Sequence, residues 1–125
     1  MHEAKVVIIE DNEDVRLLAR TMLKLKNHHV VGEAGTLQQA ISIIDQVANG
    51  DLEVDVYLLD GNLREESMRG EDAQIISQHM RARKILGHII GFSQSELPPD
   101  VCDSVAKNKN MRAAVDIINE LPDKN

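Results

Sequence analysis

The chain reads as a doubly wound α/β domain, a five-stranded parallel sheet with helices on both faces. Two observations predict it. Short apolar runs alternate with segments of helical spacing along the whole sequence, and the runs are apolar on consecutive residues, the pattern of strands covered on both faces. A third observation bounds the size: 125 residues, 42% hydrophobic and 28% charged, suit one core and one domain.

The first strand is "VVIIE" at 6–10, and Val15, Leu18, Met22 and Leu25 mark a helix after it. "HVVGEAG" at 29–35 supplies the second strand, followed by helical spacing at Leu37, Ala40, Ile41, Ile44 and Ala48. The third strand, "VDVYLLD" at 54–60, runs straight into Asp60 and Gly61. A polar loop at 62–72 then leads to a helix marked by Ala73, Ile76 and Met80. "HIIGFS" at 88–93 and "SVAK" at 104–107 are the last two strands, and Met111, Ala114, Val115, Ile118 and Leu121 mark the final helix. Between the last two strands stand only the ten residues "QSELPPDVCD". A parallel crossover takes about a dozen or more, and Pro98-Pro99 restricts the helical stretch further, so the helix expected there is one turn or absent.

Composition excludes several classes of function. A net charge of −7 gives no basic footprint for nucleic acid or an anionic membrane, and the apolar runs are too short to span a bilayer. The N-terminal stretch lacks a signal-peptide pattern, and Cys102 has no second cysteine to pair with, so a reducing cytoplasm is the expected compartment. A cation or a basic protein surface complements this charge better.

In open α/β sheets a site forms outside the carboxyl ends of the strands. Here the first strand ends in Glu10-Asp11, the third in Asp60, the fourth in Ser93 and the fifth in Lys107. Each has a plain structural reading: Asp11 or Asn12 caps the helix beginning near Asp14, Asp-Gly ends a strand in a turn, Ser93 is a turn residue, and Lys107 is a solvated strand end. Together, three acids, a hydroxyl and an ammonium at the same ends of four strands are hard to ascribe to capping.

The pattern resembles the receiver domain of two-component response regulators, whose signature is an acidic pair, a phosphoacceptor aspartate, a Ser/Thr and a lysine after successive strands. The resemblance covers essentially the whole chain. It implies a flavodoxin-like strand order 2-1-3-4-5 and a single receiver domain over residues 1–125 with no output domain. It implies that Asp60 accepts a phosphoryl group from a histidine kinase or phosphotransfer protein, and that the signal leaves by contact with a downstream protein. The cofactor implied is Mg²⁺, a hard ion that relieves the repulsion of three clustered carboxylates. Asp11 and Asp60 would ligate it directly, with the carbonyl of Asn62, and Glu10 would serve it through a water. Ser93, Lys107 and the amides from Gly61 onward would hold the phosphoryl oxygens. Such a protein is a phosphoacceptor with at most slow self-catalysed chemistry, not a turnover enzyme.

The sequence departs from that family in four places. Asn108 follows Lys107 where a proline is usual, Ser104 stands at the usual switch aromatic, the loop after Asp60 lacks a proline, and the stretch from Ser93 to Lys107 is short. Partners are therefore expected on the first helix and the loops around Asp60, or on sheet surface left open by the short helix, which would also favour a homodimer. Lys109 is the competitor of Lys107. Two alternatives belong to other classes: a receiver-like scaffold working without phosphorylation, and a haloacid-dehalogenase-type phosphatase built on Asp11, Glu13 and Ser93. The latter lacks a late acidic pair and room for a cap.

Overall fold

Residues 6–9 of the first strand are all buried, and so are residues 56–59 of the third. Two adjacent strands with no polar face must be covered on both sides, and the computed structural model shows how. It describes residues 1–59, 71–85, 87–93, 104–107 and 111–122; the side chains of 71–73, 92–93 and 104–107 lie outside that description. Among the described residues, nine elements follow in chain order: β1 (Lys5–Ile9), α1 (Glu13–Leu25), β2 (His29–Ala34), α2 (Leu37–Ala48), β3 (Val56–Leu59), α3 (Glu71–Ala82), β4 (His88–Ser93), β5 (Ser104–Lys107) and α4 (Met111–Glu120). The strands form one sheet of order β2-β1-β3-β4-β5 with every pairing parallel. The reduced helix expected between β4 and β5 falls on residues outside the described set.

The period of two along each strand sorts the core into two halves. Val7, Ile9, Tyr57 and Leu59 point to one face and pack with Ala40 and Ile44 of α2 and Ile76 and Met80 of α3. Val6, Ile8, Val56, Leu58 and Ile90 point to the other, against Ala19 and Leu23 of α1 and Met111, Ala114, Val115 and Ile118 of α4. Each fully buried aliphatic side chain contributes about 1.5–3 kcal/mol relative to an exposed one, so these faces dominate stability.

Helix α1 is rotated from the face that its apolar spacing suggested. Ala19 and Leu23 are buried, with Val15 and Met22 packed beside them, whereas Leu18 is 51% and Leu25 75% exposed. Ala19 and Leu23 thus mark the side of α1 that faces the sheet. Asn12 caps the helix, its side chain accepting from the N–H groups of Asp14 at 2.9 Å and Val15 at 3.2 Å.

His28, just after the end of α1, is 4% exposed. Asn27, with φ of 63°, turns the chain inward, and the imidazole Nδ1 accepts the N–H of Ala4 at 3.0 Å. Because Nδ1 accepts, Nε2 carries the proton and donates to Asn119 Oδ1 at 2.7 Å. His28 thus ties the start of β1 to the end of α4.

Tyr57 is also buried, and among the described residues its hydroxyl has no hydrogen-bond partner. Burial pushes the phenol up to about 12 from an ordinary 10.0. The ring lies close to Gly87: a Cβ there would stand 2.6 Å from Tyr57 Cε2, so only glycine fits beside this ring.

Candidate functional site at the carboxyl rim of the sheet

β1 has β2 on one side and β3 on the other; α1, which follows β1, packs on one face of the sheet, and α3, which follows β3, packs on the other. In folds of this topology the site lies where the two connections diverge, at the carboxyl ends of the two strands. Ile9 pairs with Leu59 as the last residue of each strand, so Glu10 and Asp11 follow directly on β1 at that edge.

The two acids stand in different surroundings. Glu10 is 1% exposed; its N–H donates to Ala34 O at 2.9 Å, and its Oε1 accepts the N–H of Asn12 at 3.1 Å. Asp11 is exposed. Since Asn12 performs the helix cap, Asp11 has no capping duty, and the structural reading of that acid loses its ground.

Arg16, one turn into α1, folds back over this loop. Its Nη1 donates to Glu10 O at 2.7 Å and to Asp11 O at 3.3 Å. The same guanidinium lies 3.7 Å from Glu33 of β2 through Nε, and Glu33 also receives Arg20 Nη1 at 2.6 Å. Sequence reasoning missed Arg16. Its only local signal is a basic residue near a helix start, where the dipole favours acids, which marks it as serving something other than the helix.

Across the sheet, Ser93 and Lys107 close β4 and β5 and pair with each other in register, so their backbones lie side by side on the same rim as Glu10. β5 ends at Lys107. Asp60, Gly61, Asn62 and Lys109 fall outside the described residues. Among the described residues no three His, Cys, Asp or Glu side chains gather as a metal site, and the rim offers the pair Glu10 and Asp11. Hard carboxylate oxygens on adjacent residues, one anchored in the interior and one open to solvent, fit a divalent ion such as Mg²⁺ that retains several waters.

Beside this rim, α1 carries Leu17 and Leu18, each 51% exposed, and Leu25 at its far end. Arg20, Thr21, Lys24 and Leu25 line a shallow depression along the same helix. Among the described residues no helix is long and apolar enough to cross a membrane.

Solved structures share this architecture. The signal receiver domain of the response regulator NarL from Mycobacterium tuberculosis superposes with a TM-score of 0.71 at 20% identity, over 96% of each chain. The receiver domain of the histidine kinase CKI1 from Arabidopsis thaliana, crystallised with Mg²⁺, gives 0.71 at 16% identity over 98% of this chain and 94% of that one. A chain in the complex of the phosphorylated P1 domain of CheA3 with CheY6 from R. sphaeroides gives 0.67 at 19% identity over 94% of both. No protein-family model matches the sequence, and no curated protein does. The molecule has the receiver-domain fold.

Proposed function

We propose that the protein is a phosphoacceptor of two-component signalling, with Asp60 as the group that takes the phosphoryl. The observation that supports this most is the position of Glu10 and Asp11 at the switch point between β1 and β3, because Asp60 is the next residue in the chain after Leu59. In this reading a carboxylate oxygen of Asp60 attacks the phosphorus of a phosphohistidine, the N–P bond breaks, and the imidazole leaves as the acyl phosphate forms. Asp11, Asp60 and the Asn62 carbonyl would hold Mg²⁺ with Glu10 behind them. The ion would offset the negative charge of the donor phosphate and the acids. Lys107, Ser93 and the Gly61 amide would meet the remaining phosphoryl oxygens, the first two reaching from neighbouring strand ends.

The phosphodonor in this proposal is a histidine kinase or phosphotransfer protein that docks on α1. Leu17 and Leu18 are half exposed on the helix that starts at the acidic loop, and an apolar patch with Arg20 and Lys24 beside it suits an apolar, acidic helical surface. Incubation with acetyl phosphate, with and without Mg²⁺, tests the reading by intact mass. One phosphoryl group per chain is expected with Mg²⁺, none in Asp60→Asn, and less in Asp11→Ala. Full labelling of Asp60→Asn would refute the assignment.

A further inference from the structure

We propose that Arg16 is a positioning residue for the divalent cation, holding the Glu10-Asp11 loop in its binding shape from the first turns of α1. The inference rests on the reading of Glu10 and Asp11 as the cation-binding end of the rim. Its own support is the geometry around Asp11. The two carbonyls that Arg16 Nη1 contacts, Glu10 O at 2.7 Å and Asp11 O at 3.3 Å, belong to the two peptide units flanking the Asp11 Cα. The second of those units is held again at its other end, where the N–H of Asn12 donates to Glu10 Oε1. Both backbone torsions of Asp11 are therefore held by bonds from outside the residue, which sets the direction of its Cα–Cβ bond. An exposed carboxylate on a backbone held in this way has only its own side-chain torsions left to order when the ion arrives, and preorganisation of that kind raises affinity.

Charge alone predicts the opposite role. A guanidinium always carries its charge, and beside a divalent cation it repels. Glu33, 3.7 Å from Arg16 Nε, offsets that charge in part, since Arg20 reaches the same carboxylate at 2.6 Å. What Arg16 adds to the loop is then chiefly its donor geometry. Gly35 reports on the same contact from the other side. A Cβ at residue 35 would stand 2.8 Å from Arg16 Nη1, the far end of a flexible side chain, so Gly35→Ala displaces the guanidinium while leaving its chemistry intact.

The experiment titrates the protein with Mg²⁺ and follows backbone amide NMR shifts, with thermal midpoints measured in the absence of the ion. The forms compared are the parent, Arg16→Gln, Arg16→Lys, Gly35→Ala and Asp11→Ala. Loss of an outer-shell group costs about 10–100-fold in metal affinity, and Arg16→Gln is expected at about 10-fold weaker binding. Gly35→Ala should show a smaller loss in the same direction. Arg16→Lys, which keeps the charge and loses the planar fork, should also weaken binding. A role confined to stability would lower the ion-free midpoint and leave the affinity unchanged; that result, or tighter binding by Arg16→Gln, overturns the proposal. If the parent shows no saturable response, or Asp11→Ala binds as the parent does, the cation-site reading itself fails and the role of Arg16 falls with it.

Discussion

Tyr57→Phe should leave the protein as stable as the parent or slightly more stable near neutral pH, and clearly more stable in alkali. The Tyr57 hydroxyl is buried without a hydrogen-bond partner among the described residues, and an unsatisfied buried polar group costs about 1–3 kcal/mol. Removing the oxygen relieves that cost and leaves only a small void. In alkali the linkage is larger. The folded-state value of about 12 lies above the unfolded 10.0, so the folded state holds the proton more tightly. The stability that this proton supplies is fully present below 10.0 and is lost as pH rises through about 12. Two units correspond to about 2.7 kcal/mol, at roughly 1.36 kcal/mol per unit. Urea midpoints measured across this range for both proteins would show the parent falling away from Tyr57→Phe by that order. Tyr57 is the sole tyrosine and the chain has no tryptophan, so tyrosinate absorbance of the folded protein reads this one group. A phenol titrating near 10.0 in the folded state, with parallel pH profiles for the two proteins, would refute the reasoning.

Gly87→Ala should destabilise by about 1–3 kcal/mol, as forcing volume into a packed core does, because its Cβ would press on the buried Tyr57 ring at 2.6 Å; an unchanged urea midpoint would show that the ring yields freely. The paired substitution Leu17→Ser, Leu18→Ser should change stability little, within about 0.5 kcal/mol per site, since both side chains are half exposed. It should slow phosphoryl transfer from a phosphohistidine protein and leave labelling by acetyl phosphate at the parent's rate. Equal loss with both donors would place the effect in the site itself and remove α1 as the docking face.

Much of the fold was legible because its strands are apolar on consecutive residues, a pattern few other structures require. β4 and β5 fall where the sequence predicts them, and β1, β2 and β3 differ only at their ends. The rim was legible for a related reason: strand ends are visible in sequence, and a parallel sheet gathers its carboxyl ends on one edge. What escaped notice depends on contacts distant in the chain or on small side chains. Ala19 carries too little hydrophobicity to mark the buried side of α1, while the larger Leu18 and Leu25 advertised a face that is exposed. The burial of His28 has no local signal because its partner Asn119 lies 91 residues away. Arg16 looked like an ordinary helix residue because its acceptors are main-chain carbonyls, which leave no signature in a sequence.

Helix α1 carries several duties that are separable along its length, and the separation explains its composition. Its inner face needs only Ala19, Leu23 and their neighbours to seal the sheet. At the start, Asn12 caps the helix, so the adjacent Asp11 is spared that task and stays exposed. The outer face retains Leu17 and Leu18, which burial in this domain does not require. Arg16 and Arg20 meet at Glu33, so the main-chain bonds of the acidic loop and the basic edge of the outer face share one carboxylate on β2. A partner whose acidic group drew Arg20 away from Glu33 would leave that carboxylate to Arg16 alone. The direction of the resulting change in cation affinity can be measured with Arg20→Gln, a substitution that leaves every bond to the loop carbonyls in place.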